Sequence, residues 1–152
     1  MSIDLNIVNA QASQLRARAN NLRDGRTALQ LYQQNINDYW RGQEMAGINI
    51  AINQSVNRLM ALAAELDNIA TDVILAGQEV RRQEELADAM LALGRADANV
   101  VNLRITFDNA TRQHNENPSP STWDTLVLAQ NRLNNEIRAR NDIAATVRSL
   151  QP

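Results

Sequence analysis

The chain has 152 residues, a formal net charge of −2, no cysteine, and only 3% aromatic residues. The nearly balanced charge offers no basic field for nucleic acid or an anionic membrane, and the absence of cysteine excludes disulfides and thiol chemistry. A core so poor in aromatic residues must be built from Ala, Leu, Ile and Val, which favours helix-on-helix packing over a sheet sandwich. The composition therefore predicts an all-α fold.

The beginning of the sequence lacks the basic start and the apolar run of an ordinary secretory signal peptide. No apolar run approaches the roughly 18 residues that a membrane-spanning helix needs. We therefore expect any export of this protein to use a route that requires no signal peptide.

The first predicted helix has apolar residues seven positions apart. They form a seam for a partner helix and comprise Leu15, Leu22, Leu29 and Ile36. Ser2 is a suitable residue to cap the start of this helix. A second seam with the same spacing follows, and it comprises Ile52, Leu59, Leu66 and Val73.

The second predicted helix extends far beyond its first seam. No proline occurs before Pro118, and only AGQEVRRQEELA separates this seam from the next apolar series, with Gly77 as its sole helix breaker. We therefore predict one helix over residues 43 to about 114, with a length of about 105 Å at 1.5 Å per residue. From Val80 to Leu86 the seam advances by six residues instead of seven, which rotates the apolar stripe by about 100°.

The segment NENPSPST, with two prolines, predicts a turn before the last helix. Ser121 is the expected N-cap of that helix. The resulting architecture is an elongated bundle with a long central helix: a helical hairpin over residues 1–85, and an extension over 86–152 in which the C-terminal helix folds back. A two-helix hairpin buries too little to be stable alone. Either the two hairpins pack on each other, or a second chain completes a four-helix bundle, and we favour the second.

The segment NDYWRGQEM lies between the first two seams and contains two of the few aromatic residues, Tyr39 and Trp40. Gly42 permits a positive φ at which the chain can reverse closely. Trp40 either plugs the tip of the hairpin or presents an apolar surface to a partner. Few side chains close in sequence could bury an indole here, so we expect the ring to be substantially exposed.

A Trp-x-Gly sequence midway between two helical seams of matching length resembles the WXG family of small helical hairpins, which are exported by, or serve, the type VII secretion system. The matching residues are Trp40, Arg41 and Gly42. Ala46 and Ile50 stand where the family usually has a small and an apolar residue. The resemblance covers roughly residues 3 to 85, and Glu65 to Val80 look like the end of the family's second helix.

The resemblance implies an antiparallel dimer with itself or with a related helical protein. It also implies that the turn, here Tyr39, Trp40, Arg41 and Gly42, acts with a Tyr-x-x-x-Asp/Glu tail as the feature recognised by the secretion ATPase. No tyrosine follows Tyr39, so that tail is missing, and a partner such as a larger toxin with a helical export domain would supply it. The expected location is the cytoplasm before export and the cell surface or medium afterwards.

Residues suited to catalysis or metal binding do not form a recognisable motif. His114 is the single histidine, whereas helical di-metal sites need paired Glu-x-x-His motifs, and no glycine-rich phosphate loop is present. We therefore expect a non-enzymatic protein without cofactor or metal. A cytosolic helical adaptor or chaperone, and a subunit of a larger helical assembly, remain alternative interpretations.

Overall fold

The computed structural model describes residues 3–151, which form three α-helices and, within that range, no strand. The helices are α1 (Leu5–Tyr39), α2 (Met45–Glu116) and α3 (Pro120–Leu150), which confirms the predicted all-α class. The prediction of one uninterrupted helix after residue 43 is also confirmed, since α2 continues from Met45 to Glu116. Within the described part of the chain, no helix combines the length and the apolar character that a membrane span requires.

The start of α1 is capped by a carboxylate. Asp4 lies in an extended conformation, and its Oδ1 accepts a hydrogen bond from the Asn6 N–H at 2.8 Å. This bond satisfies one of the free amides at the helix start and places negative charge at the positive end of the helix dipole. Ser2, predicted as the cap, lies outside the described residues, and the cap that the structure shows is Asp4.

The chain divides into two compact units, Met1–Arg81 and Arg82–Pro152. In the first unit, which we call the first helix pair, α1 and the beginning of α2 pack antiparallel. Gln33 Nε2 donates to Asn49 Oδ1 at 2.9 Å, and the Arg23 guanidinium pairs with the carboxylate of Asp67. Residues late in α1 thus meet residues early in α2, as an antiparallel pair requires.

Small residues form the centre of the first helix pair. The almost completely buried positions include Ala12, Ala19, Ala63, Ala70 and Gly77. A Cβ at Gly77 would lie 2.7 Å from Cγ1 of Val8, so the two helices approach closely there. The eight large seam residues predicted from the sequence are all at least partly buried, and Ile52 is the most buried of them.

The second unit, which we call the second helix pair, comprises α3 and the part of α2 from Arg82 onward. Asp97 forms an ion pair with Arg140 at 2.7 Å, and Asn99 Nδ2 donates to Glu136 Oε1 at 3.1 Å, so these helices are antiparallel as well. The buried residues of this pair include Ala96, Ala110, Ala129, Leu133 and Val147.

The N-cap of α3 is Ser119, so the predicted cap at Ser121 is wrong. Ser119 Oγ accepts from the Thr122 N–H at 3.2 Å, and Thr122 Oγ1 accepts from the Ser119 N–H at 3.1 Å, which completes a capping box. Pro120 explains the difference of two residues. Its fixed φ and missing N–H suit the first helical position, which makes the preceding serine the cap.

Candidate recognition surface at the first turn

The turn between α1 and α2 is short and is held by backbone hydrogen bonds. Trp40 ends α1 in an extended conformation, with φ −129° and ψ 119°, and its N–H still donates to the Ile36 carbonyl at 2.8 Å. The chain enters α2 at Met45, whose N–H donates to the Gly42 carbonyl at 3.1 Å. The indole of Trp40 therefore stands at the point where the chain leaves one helix for the next.

Position 42 needs glycine because a Cβ there would collide with the Trp40 indole. It does not need glycine for a left-handed backbone conformation. No glycine among the described residues has a positive φ, so the expected reason for this glycine is wrong. A Cβ at position 42 would lie 2.7 Å from Nε1 and 3.3 Å from Cδ1 of the Trp40 indole. Any larger residue would push the ring out of its place. The Trp-x-Gly spacing is thus explained by the close contact between the ring and the glycine.

The aromatic side chains of this turn face solvent. Trp40 is 54% exposed and Tyr39 is 93% exposed, which agrees with the expectation that the indole is substantially exposed. Arg41 is exposed beside them. The predicted recognition residues Tyr39, Trp40, Arg41 and Gly42 thus lie together on one turn.

An open groove of about 390 Å³ adjoins the indole. Its lining residues are Tyr32, Asn35, Ile36, Tyr39 and Trp40. The sequence motif missed Tyr32 and Asn35, although their spacing from Tyr39 places all three on neighbouring positions of one helix face. The groove offers aromatic faces, one aliphatic side chain and one amide, a combination suited to binding an apolar side chain of a partner.

The residues considered for chemistry lie elsewhere. His114 Nδ1 is 3.0 Å from Thr122 Oγ1, and its ring centroid is 5.4 Å from that of Trp123. The histidine therefore contributes to the packing of the α2–α3 turn. Within residues 3–151, no three His, Asp or Glu side chains come together in a group that could hold a metal ion.

Comparison with known proteins adds no further constraint. No protein-family model matches the chain, and comparison with curated proteins and with solved structures gives no significant match. The function is therefore argued from the residues of this chain.

Proposed function

We propose that this protein is a non-enzymatic substrate of type VII secretion, or the co-exported partner of a larger effector or toxin, and that it acts through helix–helix association. In this proposal α1 and the first part of α2 are a WXG-like hairpin with Trp40, Arg41 and Gly42 as its turn. The observation that carries the proposal is the half-exposed indole of Trp40, seated against Gly42 at the edge of an apolar groove.

The exposure of the ring favours docking over tip plugging. A tryptophan that closed the end of a helix pair would bury most of its area, whereas more than half of this side chain remains in contact with solvent. Rigid aromatic rings are effective anchors because they contribute a large contact area for little lost conformational entropy. Tyr39 and Tyr32 extend the same surface along α1.

The partner expected at this surface presents an apolar side chain to the groove and carries the missing tail signal. No tyrosine follows Tyr39 in this sequence, and in this proposal an associated protein supplies the Tyr-x-x-x-Asp/Glu tail. The secretion ATPase would then meet the turn of this chain and the tail of its partner together. Because the signal would be divided between two proteins, we propose that this protein is exported together with its partner.

Apolar side chains along the first helix pair provide a surface for that association. Leu62 and Ile69 are more than one-third exposed although they adjoin the seam that packs on α1. A second copy, a related helical protein, or the helical export domain of a toxin would cover them in a four-helix bundle. Their burial is the expected source of affinity, since each fully buried Leu or Ile contributes about 1.5–3 kcal/mol.

The test compares Trp40→Ala with Trp123→Ala, whose indole at the other turn is also 54% exposed. In a host with a type VII secretion system, we expect Trp40→Ala to abolish accumulation of the protein in the medium and to leave it in the cytoplasm. Trp123→Ala should leave export unchanged. The Trp40→Phe variant, which keeps an aromatic ring, should retain part of the export.

Thermal unfolding separates recognition from folding. We expect Trp40→Ala to change the free energy of unfolding by no more than about 0.5 kcal/mol, as surface substitutions do. A loss of a few kcal/mol would mean that the ring is a packed structural element. An unchanged amount in the medium would remove the export role and favour the cytosolic adaptor.

A further inference from the structure

Four side-chain amides link α1 and α2 close to the first turn. We call them the amide cluster; it comprises Gln33 and Asn37 of α1 and Asn49 and Asn53 of α2. Asn49 lies at its centre. Its Oδ1 accepts from Gln33 Nε2 at 2.9 Å and from Asn37 Nδ2 at 3.1 Å, and its Nδ2 donates to Asn37 Oδ1 at 2.9 Å. Each of these bonds crosses from one helix to the other.

Two of the amides occupy seam positions that are apolar elsewhere in the first helix pair. Asn49 stands one heptad before the buried Val56, and Gln33 stands two heptads after the buried Ala19. Both amides are partly buried. A polar residue at a seam position stabilises less than an apolar one but fixes the register, because only one alignment of the helices lets the polar groups pair. The positions of Gln33 and Asn49 therefore indicate a role in aligning the helices.

The end of α1 lacks the usual devices that hold a helix terminus. Its last turn contains no basic residue, and Asp38 places a negative charge near the negative end of the helix dipole. No described glycine has a positive φ, so no left-handed glycine caps the helix. Contacts with α2 must therefore hold this turn, and Asn37, which lies in it, provides two of them.

The same turn of α1 carries the groove beside the Trp40 indole. Ile36 and Tyr39 line that groove, and Asn37 lies between them in the sequence. Because the turn is helical, these residues and the backbone that leads into Trp40 rotate together about the helix axis. A bond that fixes the Asn37 side chain to α2 thus fixes the direction in which the groove faces.

We propose that Asn49 is a positioning residue for the recognition surface. Through Gln33 and Asn37 it fixes the rotation and register of the end of α1, and thereby the place of the Trp40 indole and its groove. The importance of this role for export rests on the proposed function. The positioning itself is a physical property of the chain and is measured on the purified protein.

Other contacts between α1 and α2 are less suited to this role. Met45 is buried at the start of α2, but apolar burial has no preferred direction and permits rotation. The ion pair of Arg23 with Asp67 is directional. However, Arg23 lies 14 residues before Asn37, about 21 Å along the helix axis. Of these contacts, the amide cluster alone is both directional and close to the turn.

The first experiment measures iodide quenching of Trp40 fluorescence in a Trp123→Phe background, where Trp40 is the only indole. All variants are compared well below their melting temperatures, so that a change in stability alone does not alter the signal. We expect Asn49→Ala to raise the quenching constant by up to about 1.9-fold, as the ring moves from 54% exposure towards full exposure. Asn99→Ala is the matched control, because it removes a cross-helix amide bond, to Glu136, in the second helix pair. It should leave quenching unchanged, and equal constants for the two variants would overturn the proposal.

Asn49→Leu separates positioning from stability. Leucine extends the apolar seam towards the turn, so we expect the melting temperature to stay level or to rise. The quenching constant should nevertheless rise as it does for Asn49→Ala, because leucine makes no directional bond to α1. A quenching constant equal to that of the unsubstituted protein would make Asn49 a packing residue only and would overturn the proposal.

Paired substitutions test the reciprocal bonds between Asn37 and Asn49. Asn37→Asp and Asn49→Asp each leave one amide that can donate to a carboxylate, so each should keep the quenching constant near that of the unsubstituted protein. The double variant places two carboxylates opposite each other with no donor between them and should show the full rise. A double variant that behaves like the single ones would overturn the proposed geometry.

Export distinguishes this proposal from the secretion proposal. If both are correct, Asn49→Ala should reduce the amount of protein in the medium, and Asn99→Ala should not. A raised quenching constant with normal export would keep Asn49 as a positioning residue and count against recognition of the turn. An unchanged quenching constant would overturn the positioning role, whatever Trp40→Ala does to export.

Discussion

The two turns of this molecule each carry a tryptophan, and the two indoles are equally exposed, at 54%. Their surroundings differ. At the second turn, Ser119 and Thr122 exchange side-chain hydrogen bonds with the backbone, and Trp123 packs against the His114 ring. At the first turn, the Trp40 indole lies against Gly42, which has no side chain to displace the ring.

The surroundings of an exposed aromatic residue distinguish a structural role from a docking role. The second turn contains the devices that fix a helix start, namely a capping box and a proline at the first helical position. Its tryptophan, Trp123, packs against the His114 ring and so belongs to the local structure of the turn. The first turn places its ring beside Gly42 and next to an open groove, which is the arrangement expected of a docking residue.

Both helix pairs bury alanines together with larger side chains, Ile52 and Val56 in the first pair and Leu133 and Val147 in the second. In the first pair the helices approach closely where Gly77 of α2 meets Val8 of α1. An added methyl group should therefore be poorly tolerated at Gly77.

The largest effect is expected for Gly77→Ala. The added Cβ would lie 2.7 Å from Cγ1 and 3.1 Å from Cγ2 of Val8, so α1 must shift or Val8 must change its rotamer. Overpacking of this kind costs about 1–3 kcal/mol, against which a gain in helix propensity of up to about 1 kcal/mol must be set. We expect a net loss of about 1–2 kcal/mol in urea unfolding followed by circular dichroism.

Gly47→Ala is the matched control, because a Cβ there meets nothing within 4 Å. It should stabilise the protein by up to about 1 kcal/mol. If Gly77→Ala stabilised the chain as much as Gly47→Ala does, the close approach of α1 and α2 at Val8 would be wrong.

A smaller effect is expected for Ser119→Ala at the second turn. The substitution removes the acceptor of the Thr122 N–H, and loss of an N-cap typically costs about 1 kcal/mol. Ser121→Ala is the control and should have almost no effect, although the sequence made Ser121 the expected cap. Thermal melts of the two variants decide between them, and a greater loss for Ser121→Ala would contradict the assignment of the cap.

The sequence predicted the helices well because heptad spacing and the distribution of Pro and Gly report directly on helix faces and ends. It predicted the cap of α3 less well, since Ser119 and Ser121 are both good capping residues and only the position of Pro120 in the first turn distinguishes them. The eight large seam residues are at least partly buried, but the most buried positions of the first helix pair are the small residues beside them. The periodicity of apolar residues shows which face of a helix is buried. The distance between two packed helices depends on which rows of residues on the two faces meet.

The smallest effect on stability is expected for Gly42→Ala, although it bears most directly on the difference between the turns. Since no described glycine has a positive φ, alanine meets no backbone strain here. Its methyl group would instead displace the Trp40 indole and the flexible side chain of Glu44, both 2.7 Å from the added atom. We expect the free energy of unfolding to change by no more than about 0.5 kcal/mol, while iodide quenches Trp40 fluorescence to a different extent. Measurement in a Trp123→Phe background isolates that signal. An unaltered quenching constant together with a loss of more than about 1 kcal/mol would mean that the backbone of the turn needs glycine, and that the placement of the indole does not depend on it.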